Sequence, residues 1–390
     1  MAAVAYVDPG NVAANLTAGA QYGYLLVWVL VVANTMAMLV QYLSAKTGLV
    51  TGHSLPELLG QRLRRGPRIV FWAQAEVVAA ATDLAEVLGG AIALQILFGV
   101  PLVVGGLIVG VVSMLLLSVQ TRRGQRPFEF VVMGLLLVIT IGFVAGLFAS
   151  DVSWPETVQG LVPRFAGGGS VLLAASMLGA TVMPHAIYVH SALARDRHGR
   201  PDGAASLRRV LRATRWDVLV SMLLAGGVNI AMLLLAAATL QGVGGTDSIQ
   251  GAHAAISGAL GPLVAGLFAV GLLASGLAST SVGCYAGAAI MSGLLRVRVP
   301  MVVRRCVTLV PALALLASGV NPTWALVLSQ VLLSLGIPFA LAPLVRVSSD
   351  TRLMGPFANS TLLRLVAWAV VALIVLLNLA LIVLTATGAA

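Results

Sequence analysis

Eleven apolar runs of membrane-spanning length leave this chain little freedom of architecture. They fall near residues 1–19, 24–45, 69–98, 101–119, 128–149, 171–194, 214–239, 260–294, 302–318, 323–345 and 363–386. In hydrocarbon no water pairs with free N–H and C=O groups, so an apolar run of about 20 residues crosses as an α-helix. Composition agrees: of 390 residues, 59% are hydrophobic and 9% charged, and the mean hydropathy is +1.01. No soluble domain has that balance. The expected fold class is therefore all-α, a polytopic membrane protein lodged in the lipid bilayer.

The net charge of +10 is a topology signal. With a cytoplasmic N-terminus, the inner loops and helix ends collect Lys46, Arg62–Arg68, Arg122–Arg126, Arg195–Arg215, Arg296–Arg305 and Arg346–Arg364. All of the 23 basic residues except Arg164 then lie inside, as the positive-inside rule requires. A nucleic-acid partner is excluded by the same placement. Lys46 is the only lysine, a bias of the kind a GC-rich bacterial genome imposes, so the expected location is a bacterial inner membrane. The first apolar run shows no basic n-region before the Asp8 motif, so it is not expected to be a cleavable signal peptide. Cys284 and Cys306 lack paired spacing and are expected to be buried small residues.

Two of the runs are interrupted. Asp8-Pro9-Gly10-Asn11 puts a carboxylate, a helix breaker and an amide into the first, and Met183-Pro184-His185 breaks the sixth. Broken helices in corresponding halves of a membrane protein point to a substrate site between them. Residues 1–149 (first to fifth runs) and 171–345 (sixth to tenth) are read as two repeats joined by an external crossover at 150–170, with a linker and the eleventh helix at 346–390. Five helices per repeat is odd, so the repeats are expected to be inverted.

Asp8 suits an N-cap, with Pro9 at the first helical position. In the middle of a membrane an Asp cap facing a cavity is also a cation ligand, and Asn11, three residues on, is placed to turn its carbonyl oxygen to the same ion. Unwinding near Ala180 would free that residue's carbonyl. Met183 is either core filler or a thioether ligand, and as a ligand it favours Mn²⁺, Fe²⁺, Co²⁺ or Cd²⁺ over the oxygen-seeking Mg²⁺ and Ca²⁺. Glu76, Asp83 and Glu86, with Glu129 near a boundary, are the other acids in the spans. Each costs about 2.5–3.5 kcal/mol to insert and marks a function by default. Intervals of seven and three put the first three on one helix face. His185 and His190, five apart, do not share a face and suit a proton relay or structural hydrogen bonds better than zinc. The chain has no hydrolase or phosphate-loop motif, so no enzyme activity and no cofactor are expected.

These residues bring a family into view. Asp8-Pro9-Gly10-Asn11 and Met183 to Ser191 resemble the two signatures of the NRAMP proton-coupled divalent metal transporters. Gln41 to Lys46, Ala81 to Glu86 and Ser329-Gln330 extend the likeness over essentially the whole chain. The resemblance implies a LeuT-type fold of eleven helices that imports Mn²⁺ and Fe²⁺, usually with protons. It implies that Asp8, Asn11, Met183 and the Ala180 carbonyl hold the metal, joined in particular conformations by the Ala5 carbonyl and Gln330. His185, Glu76, Asp83 and Glu86 resemble the family's proton path, Arg304-Arg305 the basic pair near its end, and Asn229 a polar residue beside the gate, where His190 is also placed. The oligomeric state is left open, and a monomer is compatible with it.

Two departures stand out. Only seven residues precede Asp8, about 10 Å of helix, from which a late start assignment is expected. Gly287-Ala288 stands where many members have Gly-Gln. Three other readings are a related magnesium or trivalent-metal transporter, a degenerate non-transporting homologue, and an amino-acid carrier. Met183 argues against magnesium, and Asp8 would repel an amino acid's carboxylate.

Overall fold

A computed structural model describes residues 6–388 other than Gly124, residues 200–202 and Arg298. The side chains of residues 117–129, 132, 281–282 and 301–302 are outside the description. Within the described residues each of the eleven apolar runs contains helix. The first enters the description at α1 (Pro9–Tyr22). It is followed by α2 (Val27–Thr51), α3 (Arg65–Phe98), α4 (Leu102–Arg123) and α5 (Gln125–Ala149). The sixth run is split into α6 (Gly168–Thr181) and α7 (Pro184–His198). Then come α8 (Gly203–Thr239), α9 (Pro262–Leu295), α10 (Met301–Ala317), α11 (Pro322–Ser348) and α12 (Thr361–Ala386). Seven of the described spans, the α6–α7 pair counted as one, are long and apolar enough to cross a membrane. Short helices at Leu55–Arg62, Trp154–Gln159 and Ile249–Leu260 lie in the connections.

α1 and the interrupted α6–α7 pair sit at the centre. α1 packs on α8, α6 and α11, and α7 packs on α2, α9 and α11, while α9 lies along α3 and α5. The residues around the breaks, from Tyr6 to Ala18 and from Leu173 to Ala194, are almost all buried. α12, by contrast, leaves Leu362, Leu365, Leu376, Ile382 and Val383 exposed. In a membrane such a face meets acyl chains, which explains how helices this apolar carry so much uncovered surface.

Proline shapes α11 in a way that its neighbours complete. Pro338 and Pro343 lie inside the helix, and each removes the N–H that the carbonyl four residues earlier would have taken. Those carbonyls belong to Ser334 and Phe339. Asn378 Nδ2 of α12 donates to Ser334 O at 2.9 Å, and Tyr188 Oη of α7 donates to Phe339 O at 3.4 Å. Ser334 Oγ in turn donates to Asn378 Oδ1 at 2.8 Å. Both orphaned carbonyls are thus satisfied by side chains from other helices, as a membrane interior demands.

One expectation is corrected. Cys284 is buried, but Cys306 is exposed on α10. α10 is a peripheral helix whose Val303, Val307 and Val310 are also uncovered, so Cys306 belongs to its outward face and not to the core.

Candidate functional site

The first break follows from the chemistry of four residues. Asp8 is extended (φ −86°, ψ 167°) and caps α1: its Oδ1 accepts the Asn11 N–H at 2.8 Å, and Pro9 starts the helix without needing a donor. Gly10 is required by close approach, because a Cβ there would fall 1.7 Å from Gln330 Nε2. Asn11 Nδ2 then donates twice, to Asp8 Oδ1 at 2.7 Å and across the break to Ala180 O at 3.0 Å. Gln330 Nε2 of α11 approaches the other carboxylate oxygen, Asp8 Oδ2, at 3.4 Å. The second break is at Val182 and Met183, both outside helical geometry, with Pro184 opening α7.

The structure therefore brings together Asp8, Asn11, the Ala180 carbonyl and Gln330 and sets Met183 at the adjoining break. All five are buried to 1% exposure or less. Asn11 Oδ1 and Gln330 Oε1 are buried acceptors with no hydrogen-bond partner among the described residues. A carboxylate, a main-chain carbonyl and two unpartnered amide oxygens form a donor set that suits a cation. Among the described residues no group of three His, Cys, Asp and Glu is arranged for a metal. Ala5 lies outside the described residues, as does the Glu129 side chain.

The acids of α3 share one face. A Cβ added to Gly283 of α9 would lie 3.0 Å from Glu86 Oε1 and 3.2 Å from Asp83 Oδ1, so both carboxylates point to the same stretch of α9. Asp83 faces the buried Arg305 at 3.5 Å, and Glu76 pairs with Arg304 at 2.8 Å. Arg305 also donates to Ser113 Oγ at 3.0 Å. Neither Glu86 oxygen has a hydrogen-bond partner of good geometry among the described residues. From Glu86 to Glu76 is ten residues of helix, about 15 Å, so the column runs from near the breaks toward the arginine pair. His185 joins it through Thr82, with 3.2 Å between Nδ1 and Oγ1. Gly287 has a steric role here: a Cβ would sit 1.8 Å from Arg304 Cζ.

Asn229 of α8 reaches both sides of the first break. Its Nδ2 donates to Tyr6 O at 2.9 Å, and its Oδ1 accepts from Asn15 Nδ2 at 3.2 Å. His190 is elsewhere, 2.5 Å from Gln41 Oε1 on α2. Sequence reasoning passed over Thr82 and Ser113. A lone hydroxyl in an apolar helix is the commonest interhelical filler in membranes, so no signal distinguished them.

A helical membrane protein in which the Asp8 cap of α1 lies beside the break between α6 and α7, with a carboxylate and amides gathered there, has the make-up of a secondary transporter. Comparison with known proteins makes the class specific. The chain belongs to the Nramp family, described as natural resistance-associated macrophage protein-like, which it matches over residues 1–384. It is 61% identical over 388 residues to the divalent metal cation transporter MntH of Mycobacterium tuberculosis, covering 100% of this chain and 91% of that protein. It is 45% identical over 386 residues to MntH of Bacillus subtilis, covering 98% and 90%. The crystal structure of the Eremococcus coleocola manganese transporter superposes with a TM-score of 0.86 at 30% identity, over 97% of this chain and 84% of that one. Mhp1, a nucleobase-cation-symport-1 family transporter, shares the fold alone, with a TM-score of 0.61 at 16% identity over 90% of this chain and 76% of that one.

Proposed function

We propose that the chain imports divalent transition metals, Mn²⁺ and Fe²⁺ first and Cd²⁺ and Co²⁺ with them, together with protons, by alternating access across a bacterial inner membrane with its N-terminus cytoplasmic. The observation that carries this reading is the Asn11 amide lodged between Asp8 Oδ1 and Ala180 O. A group bearing partial positive charge occupies the place where two oxygens of different helices converge. A half-turn of that amide exchanges its N–H for the unpartnered Oδ1 and leaves three oxygens facing one point. Met183 at the second break adds a polarisable sulfur, which transition metals tolerate and Mg²⁺ and Ca²⁺ do not use.

Proton coupling follows from the same site. A bound dication favours the ionised form of its carboxylate ligand, so Asp8 gives up its proton on binding. The column of buried Glu86 and Asp83 and half-buried Glu76, with His185 alongside, is the acceptor path closest in character, and Arg305 beside Asp83 and Arg304 beside Glu76 compensate its charge. The relatives are divalent metal cation transporters and a manganese transporter, which supports the substrate class.

The test is Mn²⁺ uptake into proteoliposomes under an inward proton gradient, with excess Mg²⁺ or Ca²⁺ as competitor. The expected result is uptake that survives the competitors and acidifies the lumen. Uptake abolished by Mg²⁺ would move the assignment to the magnesium branch, and uptake without acidification would remove the protons.

A further inference from the structure

Counting hydrogen bonds at the first break singles out a residue with no motif around it. In an unbroken helix the carbonyls of Tyr6 and Val7 would take the N–H groups of Gly10 and Asn11. The break ends that arrangement, since the Asn11 N–H is held by Asp8 Oδ1. A buried carbonyl left alone is costly in a membrane, and each finds a replacement on another helix. Asn229 serves Tyr6 O at 2.9 Å, and Ser275 Oγ of α9 donates to Val7 O at 2.5 Å.

Ser275 differs from the nearest described hydroxyls of its own helix. Ser279 and Thr280, one turn on, donate to Ser275 O and Gly276 O, the ordinary back-bond to the residue four earlier. Ser275 spends its only proton across the interface. It is fully buried, as are Val7 and Asp8. Val7 O belongs to the peptide that leads directly into Asp8, so the orientation of that peptide sets the direction from which the carboxylate enters the gap. α9 is also the helix whose Gly283 faces Asp83 and Glu86 and whose Gly287 admits Arg304. One helix thus touches both the cap of the break and the column of acids.

We propose that Ser275 is a positioning residue for the cation site: its hydroxyl fixes the Val7–Asp8 peptide against α9 and so aims the Asp8 carboxylate at Asn11 and Gln330. The inference rests on the proposed function, because it assigns Ser275 a role in forming that site. Loss of the hydroxyl leaves backbone and ligands in place but lets the peptide rotate. The expected effect is a rise in KM for the cation with little change in kcat, of about tenfold, the equivalent of one hydrogen bond to a buried carbonyl.

The experiment compares Ser275→Thr with Ser275→Val, which match in shape and differ in the hydroxyl, beside Ser275→Ala and the parent chain. Initial rates of Mn²⁺ uptake are measured across a range of Mn²⁺ concentrations, and folding is followed by monodispersity in detergent. S275T should keep the parent KM, while S275V and S275A raise it together at an unchanged kcat. A KM for S275V and S275A equal to that of S275T would overturn the proposal. Failure of S275V and S275A to fold beside an intact S275T would make the hydroxyl a general stability element and overturn it equally. A parent chain that transports no Mn²⁺ would instead bring down the functional reading on which the proposal rests.

Discussion

At the scale of single residues, the site is built from groups that satisfy one another through an amide. Asp8 Oδ1 takes two hydrogen bonds from Asn11, so replacing Asp8 with Ala removes both the charge and the anchor of the α1 cap. Mn²⁺ uptake by D8A is expected to fall to the level of protein-free liposomes. In the proposed site Met183→Ala would keep the oxygens and remove the sulfur; it should weaken Cd²⁺ uptake more than Mn²⁺ uptake and let Ca²⁺ compete, as measured by competitive uptake. The places of Asp8, Asn11 and Met183 at the start of α1 and at the α6–α7 break were legible in the sequence because a proline beside each interrupts an apolar run, whereas Met183 as core filler and Met183 as ligand read alike. Ser275 was not, because its meaning lies in a carbonyl 268 positions away. No local pattern encodes which serine crosses to another helix and which bonds back to its own.

At the scale of elements, the runs and their breaks were readable from hydropathy and proline alone, since the bilayer forces each apolar run into a helix. The interlocks between helices were not. α11 carries two internal prolines, which in a solitary helix argue for a stop, yet it continues over 27 residues. It does so because Asn378 and Tyr188 replace the missing donors. Asn378→Leu should leave Ser334 O without that donor and destabilise the protein by about 1–3 kcal/mol, read as a lower melting temperature in detergent. Because Ser334 is one turn from Gln330, the same variant should raise the KM for Mn²⁺.

Across the whole molecule, ion pairs tie the connections on the face where the basic loops gather. Arg195 at the end of α7 meets Glu57 at 2.5 Å, and Arg62 meets Asp350 at 3.1 Å. Glu57 sits in a capping box with Ser54. Burial would raise its pKa, but the Arg195 guanidinium and the Ser54 N–H outweigh that and hold it below its usual value of 4.5. A depressed carboxylate contributes stability above its unfolded pKa and loses it as pH falls through the folded one. The melting temperature should therefore drop as pH goes below about 4.5, and Glu57→Gln should lower it at neutral pH while flattening that acid limb.

The pairing of Asn378 with Ser334 also sets an order of events during biosynthesis. α12 emerges from the ribosome after α11, and until it inserts, the Ser334 carbonyl one turn from Gln330 lacks its donor. The surroundings of Gln330 thus reach their final shape only after α12 has joined the bundle. A nascent chain halted after α11 would hold its central helices without the amide that closes this gap.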